Sequence, residues 1–214
     1  MRIIRWIFFD IGSTLTDEEE AYRHRARDMT RGTTVSFDEF WARRTELVKA
    51  GRDGDREAAA FFGLAKTPWH SEDETPYEDC AQTLLALCEK GFRLGIIANQ
   101  IPGTKERLER WGLGRFFSVI AASADLGIAK PDRRIFQMAL DLAGCLPENA
   151  VMVGDRVDND IRPARELGMV TIRIRRGPAA FAEPSCGAER ADYEICQLNE
   201  IPAIVENLKQ GSTL

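Results

Sequence analysis

The chain has 214 residues, 44% of them hydrophobic and 29% charged, with a formal net charge of −5. That length suits one domain, or one domain carrying an insertion, and the acidic balance excludes any general attraction to nucleic acid or to an anionic membrane. No apolar run approaches the roughly 18 residues that span a bilayer. The N-terminus lacks the pattern of a secretory leader. Five cysteines without CxxC spacing (Cys80, Cys88, Cys145, Cys186, Cys196) point to reduced, core-filling thiols in a cytoplasmic protein.

In chain order, Ile3–Phe9 reads as a buried strand that ends abruptly on Asp10 and a turn of Gly12, Ser13 and Thr14. Thr16-x-x-Glu19 has the form of a capping box, so a helix is expected from about Asp17. Ser36-x-x-Glu39 repeats that form ahead of Phe37, Phe40, Trp41, Leu47 and Val48, which share one helical face. An Ala-rich helix over 55–62 stops at Gly63, and 65–74 reads as polar loop. Thr75-Pro76 is expected to open the next helix with proline at its first position, and Gly91 stops it. No strand is expected between 17 and 75. Beyond Gly91 strands are expected at 92–98, 117–122, 150–153 and 169–174, and helices at 104–111, 132–143, 158–167 and 202–208.

Near-continuous apolar strands joined by helices imply an α/β fold, a Rossmann-like parallel sheet with helices on both faces. The strandless stretch implies a small all-helical cap insertion, so the expected division is a core of 1–16 and 76–214 and a cap of 17–75. Right-handed crossovers bring every strand's C-terminal end to one edge. The residues just past those ends are Asp10, Asn99, Asp155 and, a few positions on, Lys130. Carboxylates that can hold Mg²⁺, beside a cation and polar donors for phosphoryl oxygens, are what phosphoryl transfer needs.

Three segments together resemble the haloacid dehalogenase-like hydrolases: FFDIGSTLTD over 8–17, G-x-x-K-P-D-x-x-I-F over 127–136, and a buried strand followed by GDxxxxD over 154–160. The resemblance runs from about residue 4 to 175. It implies a Mg²⁺-dependent phosphatase of a small phosphorylated metabolite, with no nucleic-acid or membrane partner. Asp10 would be the nucleophile that becomes an aspartyl-phosphate, and Lys130 would hold both Asp10 and the phosphate. Ser13, Thr14 and Asn99 would surround the phosphate. Asp10, the Gly12 carbonyl and Asp155 would bind the metal, with Asp160 bracing them from behind.

Two positions depart from the family pattern. Gly12 stands where the typical phosphatase has a second aspartate, the acid that protonates the leaving group, and Ala98 stands where a Ser or Thr usually ends the second strand. These departures support an alternative, a catalytically weak or inactive member that binds a phosphorylated ligand or a protein. Haloacid dehalogenation ranks lower, because that metal-free chemistry has no use for the GDxxxxD carboxylates. Phosphonate cleavage needs a Schiff-base lysine, for which Lys49 and Lys66 have no positional support. Asp17 and Glu18 are most simply first-turn helix acids, and secondarily candidates for the missing proton donor. His24 and His70 read as isolated surface residues, and Arg173, Arg175 and Arg176 as a solvated strand edge. The sequence leaves the substrate and the oligomeric state open.

Overall fold

The computed structural model describes residues 3–210; the outermost residues of the expected core, 1–2 and 211–214, lie outside that range. Strand β1 (Trp6–Phe9) lies inside a six-stranded sheet with β4 (Arg93–Ala98), β5 (Phe117–Ala122), β6 (Ala150–Gly154), β7 (Val170–Ile174) and β8 (Tyr193–Ile195). The strand order is β5-β4-β1-β6-β7-β8, and every pairing is parallel. The chain leaves β1 to build one side of the sheet and returns to build the other. The crevice between β1, β4 and β6 is therefore the switch point where such sheets place their ligands.

Both faces of the sheet are covered, which explains the unbroken apolar strands. Ile7 and Phe9 of β1 pack with Leu84 and Leu87 of α4 (Cys80–Glu89), Leu108 of α5 (Thr104–Arg110), and Ile201 and Val205 of α9 (Ile201–Gln210). Trp6 and Phe8 point the other way, onto Ile135, Phe136, Ala139 and Leu140 of α7 (Arg133–Ala143) and Ala164 of α8 (Arg162–Glu166). One-residue alternation along β1 thus feeds two cores.

Between β1 and α4 the chain forms α1 (Glu19–Thr30), α2 (Phe37–Lys49) and α3 (Gly54–Phe62). These helices share their own apolar cluster of Ala26, Met29, Phe40, Leu47, Ala58 and Ala59, flanked by Phe37 and Trp41. A buried ion pair, Arg44 Nε to Asp55 Oδ1 at 2.6 Å, ties α2 to α3. The Ser36–Glu39 capping box is formed, with Glu39 N donating to Ser36 Oγ at 3.2 Å and Ser36 N to Glu39 Oε2 at 2.9 Å. No strand of this segment joins the main sheet.

Other expectations need correction. Thr16-x-x-Glu19 is not a capping box: Thr16 Oγ1 donates to Ile11 O at 3.3 Å, and Thr16–Asp17 form a strand, β2. Its antiparallel partner β3 is Thr75–Pro76, so Pro76 does not open a helix and α4 starts at Cys80. This two-stranded ladder joins the two chain crossings between sheet and helices. The stretch after Asp155 is a π turn (Val157–Ile161) running into α8, and β8 and the short α6 (Ser123–Leu126) lie outside the expected elements. All five cysteines are free; Cys80 is buried, Cys88 and Cys145 are half-buried, and Cys186 and Cys196 are exposed and fill no core. Among the described residues no helix is long and apolar enough to cross a membrane.

Candidate active site

Asp10 leaves β1 beside the end of β6, its N–H donating to Val153 O at 2.9 Å. Asp10 Oδ1 accepts from Lys130 Nζ at 2.7 Å. The same ammonium reaches Asp160 Oδ1 at 2.5 Å, so the buried lysine bridges two carboxylates from distant parts of the chain. Asp160 Oδ2 accepts from Arg156 N at 3.0 Å, which closes the turn after Asp155. Gly154 makes room for this arrangement. A Cβ there would lie 2.5 Å from Asp160 Oδ2 and 2.6 Å from Asp160 Cβ, so any other residue would expel Asp160.

Asn99 does not face the crevice as a free amide. Its Nδ2 donates to Lys130 O at 2.9 Å and its Oδ1 accepts from Lys130 N at 2.7 Å, so it holds the lysine's backbone. Ala98 is fully buried as the last residue of β4. Ser13 lines the crevice with a φ of +56°, in the left-handed region that few non-glycine residues adopt. Thr14 departs from the expected phosphate-facing role. It is buried under the turn, outside the cavity wall, and its Oγ1 has no partner among the described residues.

One carboxylate of Asp10, Asp155 and Asp160 after another meets here, with ligand atoms within 4.8 Å of one another. Burial, then the charges of Asp160, Asp10 and Glu18, pushes the Asp155 carboxyl well above the ordinary range, only partly relieved by Lys130. Burial likewise moves Asp160 up to about 6 against the opposing pull of Lys130. Desolvation works against the Lys130 ammonium, but the two carboxylates outweigh it and hold the lysine charged. Negative charge therefore exceeds what one lysine balances. An all-oxygen cluster with an unbalanced anionic charge fits a hard divalent cation.

The cavity around this cluster measures about 740 Å³ and also takes in Gly12, Glu18, Tyr22, Arg44 and Arg156. Ser13 Oγ donates to Glu18 Oε2 at 2.9 Å. Burial first, then the charge of Glu74, pushes the Glu18 carboxyl up to about 8, with the Ser13 hydrogen bond opposing and Asp10 and Asp17 adding to the rise. Tyr22 and Arg44, stacked at 4.2 Å, were invisible as site residues, because a polar residue on a helix is ordinarily solvated. Lys49 lies on the cavity wall, whereas Lys66 does not.

Arg173 is not a solvated edge. It is fully buried and donates to Ala179 O at 2.9 Å and Ala182 O at 2.6 Å, holding the turn whose Pro178 and Phe181 line the cavity. Arg176 pairs with Asp79 at 2.6 Å, and Arg175 with Glu194 at 2.8 Å. His24 and His70 are not isolated, since their rings stack at 3.5 Å.

A family model described as haloacid dehalogenase-like hydrolase matches residues 4–168. A glyceraldehyde 3-phosphate phosphatase of Methanopyrus kandleri is 33% identical over 230 residues, covering 96% of this chain and 99% of the relative. A phosphoserine phosphatase of Thermus thermophilus is 37% identical over 126 residues, covering 58% of this chain and 49% of the relative. Among solved structures, a HAD phosphatase from Thermococcus onnurineus superposes with a TM-score of 0.68 at 26% identity, covering 94% of this chain and 98% of that one.

Proposed function

The chain belongs to the haloacid dehalogenase-like hydrolases, and we propose that it is a Mg²⁺-dependent phosphatase of a small phosphorylated metabolite. The observation that carries this reading is Lys130 Nζ lying 2.7 Å from Asp10 and 2.5 Å from Asp160 at the sheet's switch point, with Asp155 beside them. Asp10 is the most exposed of the three clustered carboxylates on the cavity wall, and Lys130 orients it and neutralises a phosphoryl oxygen. Asp10 attacks phosphorus and carries the phosphoryl group as an aspartyl-phosphate, which water then hydrolyses. Asp10, Asp155 and the Gly12 carbonyl would hold Mg²⁺, with Asp160 steadying Lys130 behind them. When bound, the cation supplies charge that offsets the carboxylates and the substrate's phosphoryl oxygens. The amides of Ser13 and Thr14 are taken by Thr16 O and Ile11 O, so phosphoryl oxygens would be received by the N–H groups of Ile11 and Gly12 just before them. Residues 17–75 would act as a cap, since their helices wall one side of the cavity and meet the core through β2 and β3.

Relatives act on glyceraldehyde 3-phosphate and phosphoserine, both three-carbon phosphate monoesters, so compounds of that size are the first substrates to try. Incubation with Mg²⁺ and such esters should release inorganic phosphate, and a short quench should reveal one phosphoryl group on Asp10. Absence of both would exclude the reading. The cytoplasm is the proposed compartment, since no helix of the described residues can span a membrane and the thiols are unpaired.

A further inference from the structure

We propose that Glu18 is the proton donor to the leaving group, delivered from the base of the helical segment into the space that a side chain at position 12 would occupy. The inference rests on the phosphatase reading and adds the acid that Gly12 cannot supply. A Cβ built on Gly12 would lie 2.7 Å from Glu18 Cδ and 2.9 Å from Glu18 Oε2, so the carboxyl fills the volume of a residue-12 side chain. Gly12 is outside the left-handed region, so its backbone does not demand glycine. The atoms that a side chain at position 12 would meet first are those of the Glu18 carboxyl.

Elimination leads to the same residue. Of the other carboxyls on the cavity wall outside the Asp10, Asp155 and Asp160 cluster, Asp55 is paired with Arg44, Asp158 with Arg156, Glu183 with Arg175 and Glu189 with Arg162. Asp53 caps α3 by accepting from Arg56 N at 3.1 Å, and its Oδ2 lies 3.6 Å from the Arg56 guanidinium. Glu18 alone among these has only a neutral partner, the Ser13 hydroxyl, which holds Oε2 and leaves Oε1 without a hydrogen bond among the described residues.

The proposed step balances as follows. An Asp10 oxygen forms a bond to phosphorus while the ester P–O bond breaks, its electron pair going to the leaving oxygen. The Glu18 proton passes to that oxygen, which departs as a neutral alcohol and leaves Glu18 ionised. Water then attacks the aspartyl-phosphate, its proton returns to Glu18, and the P–O bond to Asp10 breaks with the electron pair restored to Asp10. Inorganic phosphate leaves a protein in its starting state.

The test compares kcat/KM for glycerol phosphate, an alkyl ester, and p-nitrophenyl phosphate, an aryl ester, using the full chain with Mg²⁺. This ratio covers steps only up to the first irreversible one, so a later role of Glu18 in activating water does not enter. Glu18→Gln should lower the alkyl value by about 10²–10⁴-fold while leaving the aryl value within about threefold, because a nitrophenolate leaves without protonation. The retained aryl activity also certifies that the variant is folded. Gly12→Asp in a Glu18→Ala background should regain about tenfold on the alkyl ester, since the cleared space then accepts an acid from position 12. An equal loss on both esters, or no loss on either, would overturn the assignment. Wild-type protein inactive on both esters would instead refute the phosphatase reading, and the proposal with it.

Discussion

The side-chain amide of Asn99 brackets the backbone of Lys130, donating to its carbonyl at 2.9 Å and accepting from its N–H at 2.7 Å. The end of β4 is thereby tied to the lysine that bridges Asp10 and Asp160. Only an amide supplies a donor and an acceptor at that spacing. Asn99→Asp replaces the donor with a second acceptor facing the Lys130 carbonyl, and should lower phosphate-ester turnover by about 10–100-fold. Kinetics of the purified variant check this; unchanged turnover would show that Lys130 is placed by its other contacts.

Replacing Lys130 with methionine leaves the buried carboxylates uncompensated, and loss of one partner of such a cluster costs on the order of 3–5 kcal/mol. Asp160 and Asp155 have folded-state pKa values raised above their unfolded ones. Their ionisation therefore opposes folding as pH rises and is relieved as they protonate. Lys130 holds the Asp160 value down to about 6 and its loss raises it further, so the variant's stability deficit should go on growing as pH rises above that value and should shrink toward pH 4. Urea denaturation at both ends, without divalent cation, reads the difference; a pH-independent deficit would contradict it.

Mg²⁺ should raise the melting temperature of the wild-type chain, with a stabilisation of about 2.7 kcal/mol at a concentration 100 times its Kd. The effect should be stronger at pH 8 than at pH 5, because the ligating carboxylates must release protons first. Asp155→Ala should weaken Mg²⁺ binding by at least about tenfold. Calorimetric titration showing equal affinity in the variant would remove Asp155 from the metal site.

Asp10→Asn should abolish phosphate release while the chain stays folded, since an amide oxygen still accepts from Lys130 but is a very poor nucleophile. Intact-mass spectra after a short quench should show a phosphoryl adduct on the wild type alone. Turnover surviving in the variant would place the nucleophile elsewhere.

His70 Nδ1 lies 3.0 Å from Glu72 and Nε2 lies 2.8 Å from Asp28. The Glu72 hydrogen bond, joined by that of Asp28 and opposed by desolvation, raises the His70 pKa above its ordinary 6.5. A raised imidazole stabilises the fold fully below 6.5, and the contribution fades as pH rises through the folded-state value. His70→Gln should therefore lower stability at pH 5.5 more than at pH 8.5. Imidazole shifts followed by NMR measure the pKa directly, and a value at or below 6.5 would count against the contact.

Hydrophobic runs and short motifs were legible because their consequences are local. Phe8 and Phe9 flank opposite cores for the simple reason that strand side chains alternate, and Asp10, Gly154 and Asp155 stand at strand ends whatever the rest of the chain does. The α/β class, the helical stretch before α4, and the convergence of Asp10, Lys130 and Asp155 on one edge follow from those runs and the handedness of their crossovers.

The fate of polar residues was decided only by tertiary contact. Thr16 and Thr75-Pro76 look like helix starts because capping motifs report local preference, yet they pair as strands across a long excursion. Arg173 is buried because backbone carbonyls of the turn after β7 come round to meet it. His24 and His70 stack because α1 and the loop before β3 are folded together. A charged side chain far from its partner in sequence carries no mark of whether it will be solvated, paired or buried. That outcome depends on which surface the completed fold lays against it, and it is where the chemistry of this site departs from its motifs.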